Sequence, residues 1–134
     1  MRAFADTSAL YAVLDADDES HGRAGEAWSS LLLSGEGTLI TTNYVLLETF
    51  ALVQARLGMD AVRGLSDDLL PAVRTVWITG EDHRGAVQAL LAADRRGLSL
   101  VDCSSFLVMR RLGLKVAFAF DEDFGHQGFE TIPG

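Results

Sequence analysis

The stretch Val116-Ala-Phe-Ala-Phe-Asp-Glu-Asp123 decides the fold. Its first five residues are all apolar, which is typical of a β-strand covered on both faces, as in a parallel sheet with helices on either side. Two aspartates, Asp121 and Asp123, follow this strand. A carboxylate beside an apolar interior costs several kcal/mol unless it is paired, protonated or bound to a cation. The stretch therefore predicts a sheet edge that carries a charged site.

Outward from this strand, the sequence alternates between strand and helix patterns. The predicted strands are Arg2–Ala5, Thr38–Thr41, Val73–Thr79, Lys115–Phe120 and Phe129–Ile132. The predicted helices are Ser8–Leu14, His21–Leu33, a long apolar helix capped at Thr42-Asn43 that runs to Leu57, Met59–Leu70, Glu81–Arg96, and one that opens at Asp102 and runs to Leu112. Strands separated by such helices need crossover connections. We expect an α/β fold with a mostly parallel central sheet of about five strands, flanked by helices on both faces.

Length and composition indicate one globular domain over residues 1–134. Of these residues 49% are hydrophobic and 22% are charged, which is ordinary for a globular protein, and no apolar run approaches the roughly 18 residues of a membrane span. The first residues enter a strand at once and leave no room for a signal peptide. The single cysteine, Cys103, fits a reducing compartment. We expect a cytoplasmic protein that does not associate with membranes.

The net charge of −8 argues against a broad basic face for nucleic acid. It does not exclude a nuclease, because acidic residues gathered at one site contribute to the negative excess. Basic residues form two local groups, Arg95-Arg96 and Arg110-Arg111 near Lys115. The sequence leaves two interpretations of these arginines open, a solvated helix face or contacts with phosphate.

Four acidic clusters end or interrupt apolar stretches. They contain Asp6, Glu48, Asp102, and the pair Asp121 and Asp123. Sites in parallel α/β folds form at the carboxyl edge of the sheet, where Asp6 and Asp121 fall and toward which Asp102 can point. Several oxygen ligands without paired Cys or His favour Mg²⁺ or Mn²⁺ over zinc. Such a site suits hydrolysis of a phosphodiester bond.

Each acid also has a purely structural interpretation. Asp6 and Asp102 could be only helix caps, and Asp121 could be only a turn residue. Glu48 is harder to explain in this way, because its helix is apolar on most sides. The ordered set is therefore more specific than any one of its members.

The motifs together resemble the PIN domain, and in particular the VapC-like toxins of prokaryotic toxin–antitoxin pairs. The resemblance covers essentially the whole chain. It is carried by Asp6-Thr7-Ser8, Thr41-Thr-Asn-Tyr-Val-Leu-Leu-Glu48, Leu100-Val-Asp-Cys-Ser-Ser-Phe106, Ala119-Phe-Asp-Glu-Asp-Phe124, and Asp18-Glu-Ser-His-Gly-Arg-Ala24. It implies a metal-dependent endoribonuclease that uses Mg²⁺ or Mn²⁺, acts on RNA, is held inactive by a cognate antitoxin and forms a homodimer.

The resemblance also implies roles for individual residues. The first three acids of the family match Asp6, Glu48 and Asp102, and the fourth matches Asp121. These four are the expected catalytic residues and metal ligands, and Asp123 could share or replace the last role. Ser8 matches a hydroxyl that orients a carboxylate or a water. For His21, which also matches a family position, a structural role is favoured.

Other acid-site classes fit less well. A haloacid-dehalogenase-type phosphatase needs a second Asp two residues after its nucleophile, and this chain has Ser8 there. A response-regulator receiver requires an acidic pair after the first strand, and this chain has the single Asp6. The alternative that stays open is a PIN-like module that binds RNA or a protein without cleaving. Cleavage of RNA by the purified protein separates that alternative from a nuclease.

Overall fold

Five short strands form one sheet in which every neighbouring pair is parallel. The computed structural model describes residues 1–134, and the sheet order is β3-β2-β1-β4-β5. The strands are β1 (Ala3–Ala5), β2 (Leu39–Thr42), β3 (Val73–Val76), β4 (Val116–Phe118) and β5 (Glu130–Ile132). The predicted α/β fold with a five-stranded parallel sheet is confirmed.

Seven α-helices connect and cover the strands. They are α1 (Thr7–Leu14), α2 (His21–Leu33), α3 (Asn43–Leu57), α4 (Met59–Gly64), α5 (Gly80–Ala93), α6 (Leu100–Leu112) and α7 (Asp123–His126). Glycines with positive φ follow two of them, Gly58 after α3 and Gly113 after α6, which is the usual way to end a helix. No helix has both the length and the apolar character needed to cross a membrane.

The core fixes the chain segment that follows β4. Phe124 on α7 is fully buried, and its ring lies 5.1 Å from that of Phe106 on α6 and 6.4 Å from that of Phe4 on β1. Burying a phenylalanine side chain contributes roughly 1.5–3 kcal/mol. Since Asp121 and Asp123 lie within three residues of this anchor, their backbone is held against the sheet.

Several element boundaries differ from the predicted ones for local reasons. The predicted helix 59–70 is α4 followed by a π-helical turn (Leu65–Leu69) and a 3-10 turn (Leu70–Ala72) that contains Pro71, whose ring cannot continue an α-helix. Helix α5 ends at Ala93, because Asp94 adopts a left-handed conformation with φ 50°. The short helix α7 was not predicted.

Strand β3 ends earlier than its apolar alternation suggests. The predicted strand extends to Thr79, but the ladder stops at Val76 and the Trp77 side chain is 70% exposed. The backbone N–H of Ile78 donates to Oδ1 of Asn43 at 2.7 Å. This side-chain acceptor takes the place of a ladder partner for the Ile78 N–H.

Candidate active site

The sheet brings the first and fourth acids to one edge. Strands β1 and β4 are neighbours with Ala5 opposite Phe118, and the backbone N–H of Asp6 donates to the carbonyl of Phe118 at 3.0 Å. Asp6 directly follows β1, and Asp121 lies three residues past β4. The strand order reverses between β1 and β4, and ligand sites of parallel α/β folds lie at such a point.

Asp6 is a buried carboxyl at the start of a helix. It caps α1, is 4% exposed, and its Oδ2 accepts hydrogen bonds from the Ser8 backbone N–H at 3.2 Å and the Ser8 hydroxyl at 2.7 Å. Burial raises the pKa of Asp6 from 3.8 to about 7, the bonds from Ser8 oppose the rise, and the negative charges of Asp102 and Glu48 add to it. Asp6 therefore caps α1 and also has a carboxyl group whose pKa is raised.

Ser8 links the two strand ends. Its hydroxyl donates to Asp6 and accepts the backbone N–H of Phe120 at 3.0 Å. The residue next to Phe120 is Asp121, so one hydroxyl sets the position of the first acid relative to the chain segment that carries the fourth. The structure thus places Ser8 where the sequence suggests an orienting group.

Asp102 is the third residue of α6. The sequence predicted that Asp102 opens this helix, and that prediction is wrong. Helix α6 begins at Leu100 because Ser99 supplies the cap, and the two form a capping box: the Ser99 N–H donates to Asp102 Oδ2 at 3.2 Å, and the Asp102 N–H donates to Ser99 Oγ at 3.0 Å. Burial raises the pKa of Asp102, the bonds from Ser99 oppose the rise, and the charges of Asp121 and Glu48 add to it.

Glu48 is half-buried on α3 and acts on its neighbours through its charge. Its negative charge raises the pKa of both Asp6 and Asp102. The helix is held against α1 next to this position, where the hydroxyls of Thr7 and Thr49 lie 2.8 Å apart in the core. Glu48 therefore faces the same acidic site from a third element.

The structure brings three carboxylates into one compact group. Oxygen atoms of Asp102, Asp121 and Asp123 all lie within 4.8 Å of one another. The Asp123 backbone N–H donates to Asp121 Oδ1 at 2.9 Å, so Asp121 also forms the turn considered from the sequence. Asp6 and Glu48 are outside this 4.8 Å group; in addition to burial, the charge of Glu48 raises the pKa of Asp102, and the charge of Asp102 raises the pKa of Asp6.

Two features near the acids could not be identified as site features from the sequence. Arg95, in the turn between α5 and α6, donates through Nη2 to Asp123 Oδ1 at 3.2 Å. On the other side, an apolar cleft of about 330 Å³ adjoins Glu48 and contains Tyr44, whose hydroxyl lies 2.6 Å from Nδ1 of His83. In the sequence, Arg95 is one member of an arginine pair, and no motif surrounds His83.

His21 has a structural position. Its Nδ1 lies 2.8 Å from the backbone carbonyl of Ala12, and this contact ties the start of α2 to α1. The favoured structural interpretation of His21 agrees with this contact.

The donor set fits a hard divalent cation. All the candidate ligands are carboxylates, and no histidine or cysteine is in the group. Magnesium and manganese prefer such oxygen ligands. Burial, and after it neighbouring negative charge, disfavours the anionic forms of Asp6 and Asp102 and raises their pKa, and a bound cation would favour the anionic forms.

Comparison with known proteins gives the family. The family model for the PIN domain matches residues 3–130. The 23S rRNA-specific endonuclease VapC20 of Mycobacterium tuberculosis is 38% identical over 130 residues, which are 96% of each chain. The crystal structure of VapC20, described as a sarcin-ricin loop cleaving toxin, superposes with a TM-score of 0.83 at 36% identity over 95% of each chain.

A more distant structure agrees in fold alone. FitAcB from Neisseria gonorrhoeae has a TM-score of 0.69 at 13% identity, covering 96% of this chain and 95% of that one. The match of the family model over nearly all of the chain, together with the identity to VapC20, is sufficient for assignment. The chain belongs to the PIN domain family.

Proposed function

We propose that the chain, as a single nuclease domain over residues 1–134, is a metal-dependent endoribonuclease and the toxin of a toxin–antitoxin pair. The observation that carries the proposal is the convergence of Asp102, Asp121 and Asp123 within 4.8 Å beside buried Asp6 and half-buried Glu48. The identity of 38% to an RNA endonuclease supports the same reaction. A binding module without catalysis would have no need of so many mutually repelling carboxylates.

The five acids are the proposed ligands of Mg²⁺ or Mn²⁺. Such an ion, when bound, lowers the pKa of a water and stabilises the leaving oxygen of the phosphodiester. Asp6 is oriented by Ser8 and Asp102 by Ser99, so both carboxylates are placed before substrate binds. Asp123 is already paired with Arg95, and we therefore assign the larger share of the fourth acid's role to Asp121.

The proposed substrate is RNA, and ribosomal RNA is the first substrate to test. The relative that shares 38% of its residues with this chain is specific for 23S rRNA. A substrate of that kind would be met in the cytoplasm. The decisive experiment incubates purified protein with Mn²⁺ and either ribosomes or a labelled RNA oligonucleotide, and resolves the products on a denaturing gel.

Asp102→Asn should lower the cleavage rate by at least about two orders of magnitude, since it removes one charged ligand and leaves the helix cap acceptor in place. Asp67→Asn, at an exposed position away from the site, makes the same charge change and serves as the control. The proposal is wrong if the native protein binds RNA but leaves it intact in both Mg²⁺ and Mn²⁺. Near-native cleavage by Asp102→Asn would remove that residue from the site.

The proposed protein partners are a second copy of the chain and a cognate antitoxin. Leu47 and Trp77 are 73% and 70% exposed, and contact with a partner would remove their apolar surface from water. An acidic site also suits a basic side chain from an antitoxin. Light scattering at micromolar concentration should give the mass of a dimer, and a monomer at all concentrations would contradict the homodimer.

A further inference from the structure

We propose that Arg95 contacts a phosphate of the RNA substrate beside the acidic site, while its ion pair with Asp123 holds the guanidinium in place. This inference rests on the proposed ribonuclease function and names one positioning residue for it. The sequence leaves open whether the two arginine pairs are solvated or contact phosphate, and this inference assigns phosphate contact to Arg95.

The charge of the molecule favours such a residue. The chain has a net charge of −8, and its proposed site gathers carboxylates that repel a polyanion. The energy of RNA binding comes largely from phosphate contacts with Arg and Lys. A cation close to the acids would offset the repulsion at the point where a phosphate must approach.

The structure separates the four paired arginines by their contacts. Arg111 pairs with buried Asp82, and Arg110 donates to Gln127 and lies over the ring of Phe129. The partners of both arginines are therefore outside the carboxylate group. Arg95 alone of the four touches that group, through Asp123.

Arg95 also keeps donors free for a ligand. A guanidinium has five N–H donors, and one hydrogen bond, from Nη2 to Asp123 at 3.2 Å, is formed within the chain. Its side chain is 52% exposed, whereas that of Asp123 is 14% exposed. The Asp123 carboxylate therefore anchors one edge of the Arg95 guanidinium. The remaining N–H groups of this planar group are suited to binding a phosphate.

The ion pair reduces the cost of using a flexible side chain. Ordering a free arginine on binding costs conformational entropy, and the ion pair with Asp123 orders this one in advance. Asp123 itself is held by its backbone bond to Asp121. The guanidinium that would donate hydrogen bonds to a phosphate is thereby held in place relative to the carboxylates.

RNA binding with cleavage blocked tests this inference. The affinity of a labelled single-stranded oligonucleotide is measured by fluorescence anisotropy in EDTA at several salt concentrations, with a gel to confirm that the RNA is intact. Arg95→Ala is compared with Arg96→Ala, because Arg96 is the exposed neighbour, forms no ion pair and carries the same charge. Arg95→Lys tests the need for the planar fork.

Arg95→Ala should weaken RNA binding about tenfold and reduce the slope of log affinity against log salt by about 0.7, the value for one phosphate contact on a single strand. Arg96→Ala should change the affinity less than about twofold. Arg95→Lys should keep the salt slope but bind more weakly than the native protein. Equal affinities and slopes for the two alanine variants would overturn the inference.

Manganese affinity, measured by calorimetry, distinguishes an Arg95 that contacts phosphate from an Arg95 that only supports Asp123. Arg95→Ala should bind Mn²⁺ at least as tightly as the native protein, since a competing cation is removed. Weaker Mn²⁺ binding with an unchanged RNA salt slope would make Arg95 a support for Asp123 and overturn the inference. If native protein neither binds nor cleaves RNA, the proposed function fails as well; if it cleaves RNA while both alanine variants behave alike, this inference alone fails.

Discussion

At the scale of single residues, Asp6 combines a structural bond with an unfavourable charge. Its pKa is raised to about 7, first by burial and then by Asp102 and Glu48. A folded carboxyl with a raised pKa binds a proton that the unfolded chain has released, so stability is lost as pH rises from about 4 to 7. The metal-free protein should therefore be less stable at pH 8 than at pH 5.

Asp6→Asn should remove most of this pH dependence. Asparagine keeps an acceptor for Ser8 but carries no charge, so the variant should exceed the native protein in stability at pH 8, by an amount on the order of 4 kcal/mol at most. At pH 4 the two should be alike. Urea denaturation in EDTA measures the difference, and parallel pH profiles for the two proteins would show that Asp6 is not the group responsible.

At the scale of secondary-structure elements, Asp82 joins the start of α5 to the end of α6. It forms a capping box with Thr79 and an ion pair with Arg111. The hydrogen bond from Arg111 lowers the pKa of Asp82. A lowered pKa stabilises the fold above the unfolded value near 3.9, and this stabilisation disappears as the pH falls through the folded value.

Asp82→Ala should destabilise the protein by about 1–2 kcal/mol at pH 7, because a cap and a buried carboxylate's hydrogen bonds are lost. The difference from native should shrink below pH 4. Asp60→Ala, which removes an exposed pair with Arg63, is the control and should change little. Chemical denaturation at both pH values gives the comparison, and an Asp82→Ala effect no larger than that of Asp60→Ala would contradict the prediction.

Local signals made most elements predictable. The apolar run before Asp121, the capping residue Thr42, and the glycines after α3 and α6 act within a few residues of the features they specify. The end of β3 depends on Asn43, 35 positions earlier than Ile78. The contact of Arg95 with Asp123 spans 28 positions, so neither could be inferred from neighbouring residues.

The site was predictable in part for the same reason. Acids that follow strands are visible in a single sequence, and the parallel sheet brings Asp6 and Asp121 to one edge. The predicted start of α6 at Asp102 was wrong by two residues, because the helix begins at Leu100 and its cap is Ser99. Which carboxylates lie within 4.8 Å of one another depends on the packing of α6 and α7, which residue spacing alone does not specify.

At the scale of the whole molecule, the proposed metal site would couple cation binding to stability. A cation that binds the folded chain and not the unfolded one stabilises it by about 2.7 kcal/mol at one hundred times its dissociation constant. For a domain of this length the melting temperature should rise by several degrees. Millimolar Mn²⁺ or Mg²⁺ should produce this shift in a thermal unfolding experiment.

The double variant Asp6→Asn with Asp102→Asn tests the source of that shift. It should melt higher than the native protein in EDTA, because two repelling carboxylates are gone, and it should no longer respond to the metal. The same temperature shift in both proteins would place the cation elsewhere. Asp67→Asn should respond as the native protein does.

The strand order β3-β2-β1-β4-β5 also has a consequence for the timing of synthesis. Strand β1 precedes the other four strands in the chain, yet one of its two neighbours, β4, is made only after β2 and β3. A nascent chain that ends at Leu112 already contains Asp6, Glu48 and Asp102 but lacks Asp121 and one flank of the strand that positions Asp6. The proposed catalytic centre therefore cannot assemble until β4 and Asp121 have emerged from the ribosome.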